Sequence, residues 1–179
     1  MNIPNFLSLS RIILVPVIVI FLIQESYTKA LIAFTVAGLT DVFDGILARI
    51  LNRQTKLGSF LDPIADKILL ATSFVSLSIF ALIPAWLTVI VISRDFIILL
   101  GIIVLSMMSI TYEIKPAFIS KVTTALQLAT IFFALLFKAI VPDISFNWII
   151  IICWLTAFFT IASGVTYIIR GIKYINRAA

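Results

Sequence analysis

Four aspartates lie close together in an otherwise strongly apolar chain, at Asp41, Asp44, Asp62 and Asp66. Residues three or four apart share one face of a helix, so the first two form one predicted pair and the last two form another. Carboxylates gathered in this way repel one another, and two divalent cations would cancel their four charges. Carboxylate oxygens favour Mg²⁺ or Mn²⁺, and two such ions can clamp phosphate oxygens during phosphoryl transfer. The pattern therefore indicates a two-metal site for a pyrophosphate substrate.

Small and cationic residues accompany the aspartates. Gly45 and Ala48 leave room for a ligand against the helix, and Arg49 can donate two parallel hydrogen bonds to a phosphate. Gly58 can let two helices approach closely, and Pro63 suits a first helical turn. Each residue has an alternative interpretation, because membrane glycines often serve packing alone and arginines at the inner boundary often serve as anchors.

The motif DxxDGxxAR, followed after eight residues by GxxxDxxxD, runs from Asp41 to Asp66 without a departure. It resembles the signature of the CDP-alcohol phosphotransferases, membrane enzymes that make phospholipids, and the similarity covers essentially the whole chain. The resemblance implies that an alcohol attacks the β-phosphate of CDP-diacylglycerol and that CMP leaves.

The resemblance also implies roles for the residues of the motif. The four aspartates would bind two divalent metal ions, either Mg²⁺ or Mn²⁺, and Asp66 would also act as the general base. Beside the CDP moiety and its phosphates would lie Gly45, Ala48 and Arg49, and we group Gly58 with them. A metal-bound aspartate is a weaker base than its reference pKa of about 3.9 suggests, so Asp66 could mainly position the attacking hydroxyl.

The composition is that of a membrane protein. Of the 179 residues 63% are hydrophobic and 12% are charged, against about 45–50% and about 25% in soluble domains. The chain has no histidine and a single cysteine, Cys153, which excludes a disulfide framework, a Cys/His zinc site and a Ser/His or Cys/His nucleophile pair. We interpret the net charge of +5 as cations facing anionic lipid, with no nucleic-acid partner.

We predict an all-α integral membrane protein with six transmembrane helices, preceded by a short interfacial helix at residues 1–11. The predicted spans are 8–24, 29–51, 60–81, 84–109, 117–140 and 146–169. No linker or internal repeat marks a second domain, so residues 1–179 are predicted to form one domain. The segment 170–179, which is rich in basic residues, is predicted to be an interfacial tail.

Six spans place both termini on the same side of the membrane. Lys29 and Lys138 fall on one side, and ten cations fall on or near the other: Arg11, Arg49, Arg53, Lys56, Lys67, Lys115, Lys121, Arg170, Lys173 and Arg177. The positive-inside rule then makes both termini and the acidic stretch cytoplasmic. We expect a bacterial inner membrane, and a homodimer because the resembled family commonly forms one.

Two further polar positions bear on the acceptor. Arg94 lies with Asp95 inside the fourth span, either near the lipid phosphate or as a mutually satisfied pair elsewhere in the bundle. Lys121 begins a stripe with Thr124 and Gln127, and we expect this lysine to meet the phosphate of the lipid.

Within the resembled family, two acceptors remain open. The segments AGLTD (37–41), SRD (93–95), KPAFISKVTTALQL (115–128) and WLTAFFTIAS (154–163) look more like CMP-forming cardiolipin synthases, whose acceptor is phosphatidylglycerol. The alternative is glycerol 3-phosphate, a small dianion that calls for clustered cations. A different class, a cation channel or transporter, would spread its carboxylates across the membrane depth, whereas these four cluster at one edge.

Overall fold

This computed structural model consists of helices in the part of the chain that it describes: the backbone of residues 3–50, 56–108, 118–140 and 147–178, and the side chains of 10–40, 63–108, 118–140 and 148–176. The helices are α1 (Ile3–Ile23), α2 (Tyr27–Ile50), α3 (Lys56–Ile79), α4 (Ala85–Met107), α5 (Phe118–Ile140) and α6 (Asn147–Ala178). The prediction of an all-α chain is confirmed.

Several of these helices are long and apolar enough to cross a membrane. Within the described residues three candidate spans reach that length, at Ala85–Met107, Phe118–Ile140 and Trp148–Asn176. Two shorter apolar helices occupy Ser10–Ile23 and Tyr27–Thr40. The chain is therefore a membrane protein with several candidate spans, whereas six spans and cytoplasmic termini stay predictions.

Three predicted boundaries differ from the structure. The interfacial helix and the first span are one continuous α1, because no glycine or proline interrupts residues 5–15. Helix α3 begins at Lys56, so Pro63 lies inside the helix and not in its first turn. Membrane helices tolerate such a proline, which removes one backbone N–H. The predicted basic tail continues α6 as far as Ala178.

The helices form two compact units. In the first unit, α1 packs against both α2 and α3, and the end of α5 from Ile131 joins them. Helix α2 contributes Ala30, Ala33 and Ala37 to the core, and such small residues let helix backbones approach closely. The core stripe of α1 holds one residue per turn, at Arg11, Val15, Ile18 and Leu22.

The second unit comprises α4, the first part of α5 and α6, with α4 packed against α6. A line of hydrogen bonds joins α5 to α6. The hydroxyl of Thr123 donates to the Phe159 carbonyl at 3.0 Å, and Thr130 and Thr156 share a bond of 2.7 Å between their hydroxyls. The interior of this unit is thus polar in part while many large apolar side chains face outward, as expected in lipid.

Candidate functional site

Asp66 is the aspartate of the motif whose side chain the structure describes. It lies in α3, about 15 Å along the axis from the start of that helix. Its side chain is 42% exposed, while the neighbouring Ala65, Leu69 and Leu70 are buried. The carboxylate therefore lies at the edge of the core, where a ligand can reach it.

Arg11 of α1 is a partner of Asp66. Its Nη1 donates a hydrogen bond to Oδ1 of Asp66, which also makes an ion pair between α1 and α3. The arginine is fully buried, at 0% exposure. A cation in an apolar helix costs about 2.5–3.5 kcal/mol near a bilayer centre on insertion scales, and an ionised partner offsets that cost.

The sequence pattern placed Arg11 only among the cytoplasmic cations and did not indicate it as a site residue. A signal was present. Arg11 lies inside the predicted span 8–24, four residues before the buried Val15, and a cation on a core stripe requires a partner. The pattern could not name that partner, since the packing of α1 on α3 is not encoded locally.

The other residues of the motif have positions on helices but no described side chains. Asp41, Asp44, Gly45, Ala48 and Arg49 belong to α2, and Gly58 and Asp62 belong to α3. All seven side chains lie outside the described residues. Because α2 and α3 both pack against α1, the two helices that carry the motif share one neighbour. Convergence of the four carboxylates stays a prediction.

A divalent metal fits the chemistry of the donor set. Asp66 supplies a half-exposed carboxylate, and Asp62 lies one turn earlier on the same helix. Among the described side chains no group of three or more His, Cys, Asp or Glu could hold a metal. Three of the four predicted ligands lie outside the described side chains. The four aspartates are the residues that would hold the ions, which would neutralise phosphate charge.

Arg94 of α4 makes its contacts within the second unit. Its Nη1 donates to Oδ1 of Asp95 at 2.6 Å, and its Nη2 donates to the hydroxyls of Ser120 at 2.7 Å and Ser163 at 2.9 Å. The centroid of the Tyr167 ring lies 5.8 Å from the guanidinium carbon of Arg94. These contacts favour the alternative in which Arg94 is a structural residue that joins α4, α5 and α6.

The predicted stripe on α5 divides in the structure. Lys121 is exposed, whereas Gln127 is buried and donates to the Thr160 hydroxyl at 3.4 Å. The hydroxyl of Thr124 donates to the backbone carbonyl of Ser120. Lys121 is therefore the exposed, charged member of the stripe, and its contact with the lipid phosphate stays a prediction.

The described residues are those of a helical membrane protein in which a buried arginine on one helix holds a carboxylate on another. Residues 1–162 match the family model of CDP-alcohol phosphatidyltransferase. The chain belongs to this family.

Two groups of relatives resemble the chain. The Homo sapiens cardiolipin synthase (CMP-forming) is 40% identical over 98% of this chain and 63% of its own length. Its Rattus norvegicus counterpart is 38% identical over the same shares. A CDP-diacylglycerol–glycerol-3-phosphate 3-phosphatidyltransferase of Bacillus subtilis is 33% identical over 93% of each chain. The chain thus spans 63% of the length of the human and rat proteins.

Proposed function

We propose that the chain transfers a phosphatidyl group from CDP-diacylglycerol to phosphatidylglycerol, forming cardiolipin and releasing CMP. The observation that carries this proposal is the half-exposed carboxylate of Asp66, held by Arg11 at the end of an uninterrupted family motif. The family match supports the donor, and the relatives named cardiolipin synthase support the acceptor.

In the proposed reaction the acceptor hydroxyl oxygen forms a bond to the β-phosphorus, and the bond from that phosphorus to the CMP oxygen breaks. Asp66 accepts a hydrogen bond from the hydroxyl and orients it, and the hydroxyl proton passes to this carboxylate and then to water. Arg49 and Lys121 bind phosphate oxygens. Two divalent ions on the aspartates would supply charge neutralisation at the departing phosphate.

The charges of the second unit support a lipid acceptor. Arg94 is engaged with Asp95, Ser120 and Ser163, which leaves Lys121 as the predicted acceptor cation whose charge is accessible. A phosphatidylglycerol phosphate is a monoanion, and its acyl chains contribute binding energy. Glycerol 3-phosphate is the second candidate, supported by the Bacillus subtilis relative. We further propose a homodimer in the bacterial inner membrane with its site facing the cytoplasm.

The test measures CMP release by the purified protein. We expect release only with Mg²⁺ or Mn²⁺ and an acceptor, and Asp66→Asn should lower it by about 100- to 10,000-fold, the range for loss of an acid–base group. Asp95→Asn is the matched control, because it changes another helix-borne aspartate and keeps an oxygen acceptor for Arg94. Full activity in excess chelator, or unchanged turnover in Asp66→Asn, would contradict the mechanism.

The acceptor is decided in the same assay. CDP-diacylglycerol is supplied in parallel with phosphatidylglycerol and with glycerol 3-phosphate, and the lipid product is identified by mass spectrometry. We expect cardiolipin to form at least about tenfold faster than phosphatidylglycerophosphate, which corresponds to about 1.4 kcal/mol between the two transition states. A preference for glycerol 3-phosphate would assign the second candidate.

A further inference from the structure

The contact between Arg11 and Asp66 is built into the packing of two helices. Arg11 begins the core stripe of α1, at the spacing that continues through Val15 and Ile18. It lies about 12 Å along the axis from the start of α1, and Asp66 lies about 15 Å from the start of α3. The two residues therefore lie at similar distances from the starts of their helices.

The two partners differ in exposure. Arg11 is fully buried, while the side chain of Asp66 is 42% exposed. The guanidinium approaches one carboxylate oxygen, Oδ1, from the core side. Fixing that oxygen also fixes the plane of the carboxylate, and therefore the direction in which the second oxygen points.

From this geometry we infer that Arg11 is a positioning residue for the acidic site: its buried guanidinium holds the Asp66 carboxylate in the orientation that binds a divalent cation and the acceptor hydroxyl. This inference rests on the proposed function. Outer partners of metal-binding carboxylates act in this way, and their loss typically weakens metal affinity or activity by about 10- to 100-fold. Arg11 lies outside the DxxDGxxAR motif and is supplied by a different helix.

The experiment measures Mn²⁺ binding to the detergent-purified protein by the loss of the free-ion signal in electron paramagnetic resonance. Arg11→Gln should weaken binding by about 10- to 100-fold, and Arg11→Lys, which keeps the charge without the planar fork, by about threefold. At Mn²⁺ concentrations that saturate each variant, we expect kcat for CMP release to fall in the same order, with KM for CDP-diacylglycerol within about twofold of the original value. A general loss of structure would not lower kcat while leaving KM unchanged.

Lys173→Gln is the matched control, because Lys173 is an exposed cation on α6. Its Mn²⁺ affinity and kcat should stay within about twofold of the original protein. An equal decrease in this control would overturn the inference, as would unchanged Mn²⁺ affinity and kcat in Arg11→Gln. Should Arg11→Gln fail to fold, Arg11→Lys decides alone: a threefold loss supports the inference, and unchanged binding and kcat overturn it.

The two proposals fail in distinguishable ways. If the original protein binds no Mn²⁺ and releases no CMP, the proposed function fails and the inference fails with it. If the original protein does both and Arg11→Gln matches it, the positioning role alone is wrong.

Discussion

Arg94 shows how a buried arginine can be a structural residue. Its guanidinium donates to Asp95, Ser120 and Ser163, so one side chain connects three helices of the second unit. A phosphate ligand would have to displace these acceptors, which belong to the helices of the same unit. The contacts thus explain why an arginine inside an apolar helix need not signal substrate binding.

We predict that Arg94→Met destabilises the second unit by about 2 to 4 kcal/mol, because Asp95 loses its ion pair and two serines lose a charged donor. The single cysteine, Cys153, is fully buried in this unit and can report the loss. A dye that fluoresces on reaction with a thiol should give a melting temperature lower by several degrees.

Lys173→Met provides the control for this experiment, since it removes a cation from an exposed position of the same unit. Its melting temperature should change little. An unchanged melting temperature in Arg94→Met would show that these hydrogen bonds contribute nothing to stability, and it would return Arg94 to the candidates for phosphate binding.

At the scale of the helices, α1 and α3 end in the same way, each with a left-handed residue that is not glycine. Glu25 and Ala81 adopt left-handed backbone conformations, with φ of 53° and 54°. The next residue in each case donates its backbone N–H to a carbonyl five residues earlier: Ser26 to Phe21 and Leu82 to Leu77, each at 2.8 Å. This pattern closes a helix end and turns the chain into the next helix.

Ala81→Gly should therefore stabilise the protein by about 0.5 to 1 kcal/mol. The left-handed conformation costs an L-residue about 1–2 kcal/mol, and the greater freedom of glycine in the unfolded chain returns only part of that gain. Thermal unfolding followed by circular dichroism should show a midpoint higher by about 1 to 3 °C. Ala125→Gly, at an exposed position inside α5, should instead lower the midpoint. A lower midpoint in Ala81→Gly would contradict the argument.

Hydropathy predicted most of the helix boundaries and missed specific ones. The span predicted at 84–109 is α4 at Ala85–Met107, because Pro84 ends the preceding turn and an apolar run follows. The beginnings of α1 and α3 and the end of α6 extend beyond the apolar runs. Their residues mix polar and apolar types, which hydropathy excludes from a span but which a helix accommodates.

The candidate site was predictable from sequence only in part. Fixed spacing made Asp66 and its companions the predicted site residues, because a motif of this kind is local. The pairing of Asp66 with Arg11 joins residues 55 positions apart on helices that are not consecutive, so it depends on tertiary packing. Likewise, the hydrogen bonds of Arg94 to α5 and α6 could not be predicted from the segment SRD.

At the scale of the whole molecule, the distribution of aromatic and basic residues on α6 bears on orientation. Trp148 and Trp154 are exposed near the start of this helix, and Arg170 and Lys173 are exposed near its end. From Trp148 to Arg170 the helix rises about 33 Å, close to the thickness of a bilayer core. Tryptophans mark membrane interfaces, and clustered cations mark the cytoplasmic one. Helix α6 should thus end in the cytoplasm, which agrees with the cytoplasmic termini that the charge distribution predicts.

This orientation is testable with single cysteines. We expect Gln24→Cys, an exposed position between α1 and α2, to react in intact cells with a thiol reagent that cannot cross the membrane, because this connection is predicted to face outward. Asn176→Cys, an exposed position in the last turns of α6, should react only after the membrane is permeabilised. The original protein is the control, since its single cysteine, Cys153, is buried and should stay unlabelled in both conditions. Labelling of Asn176→Cys from outside would reverse the proposed orientation and would place Asp66 on the side of the membrane away from cytoplasmic CMP.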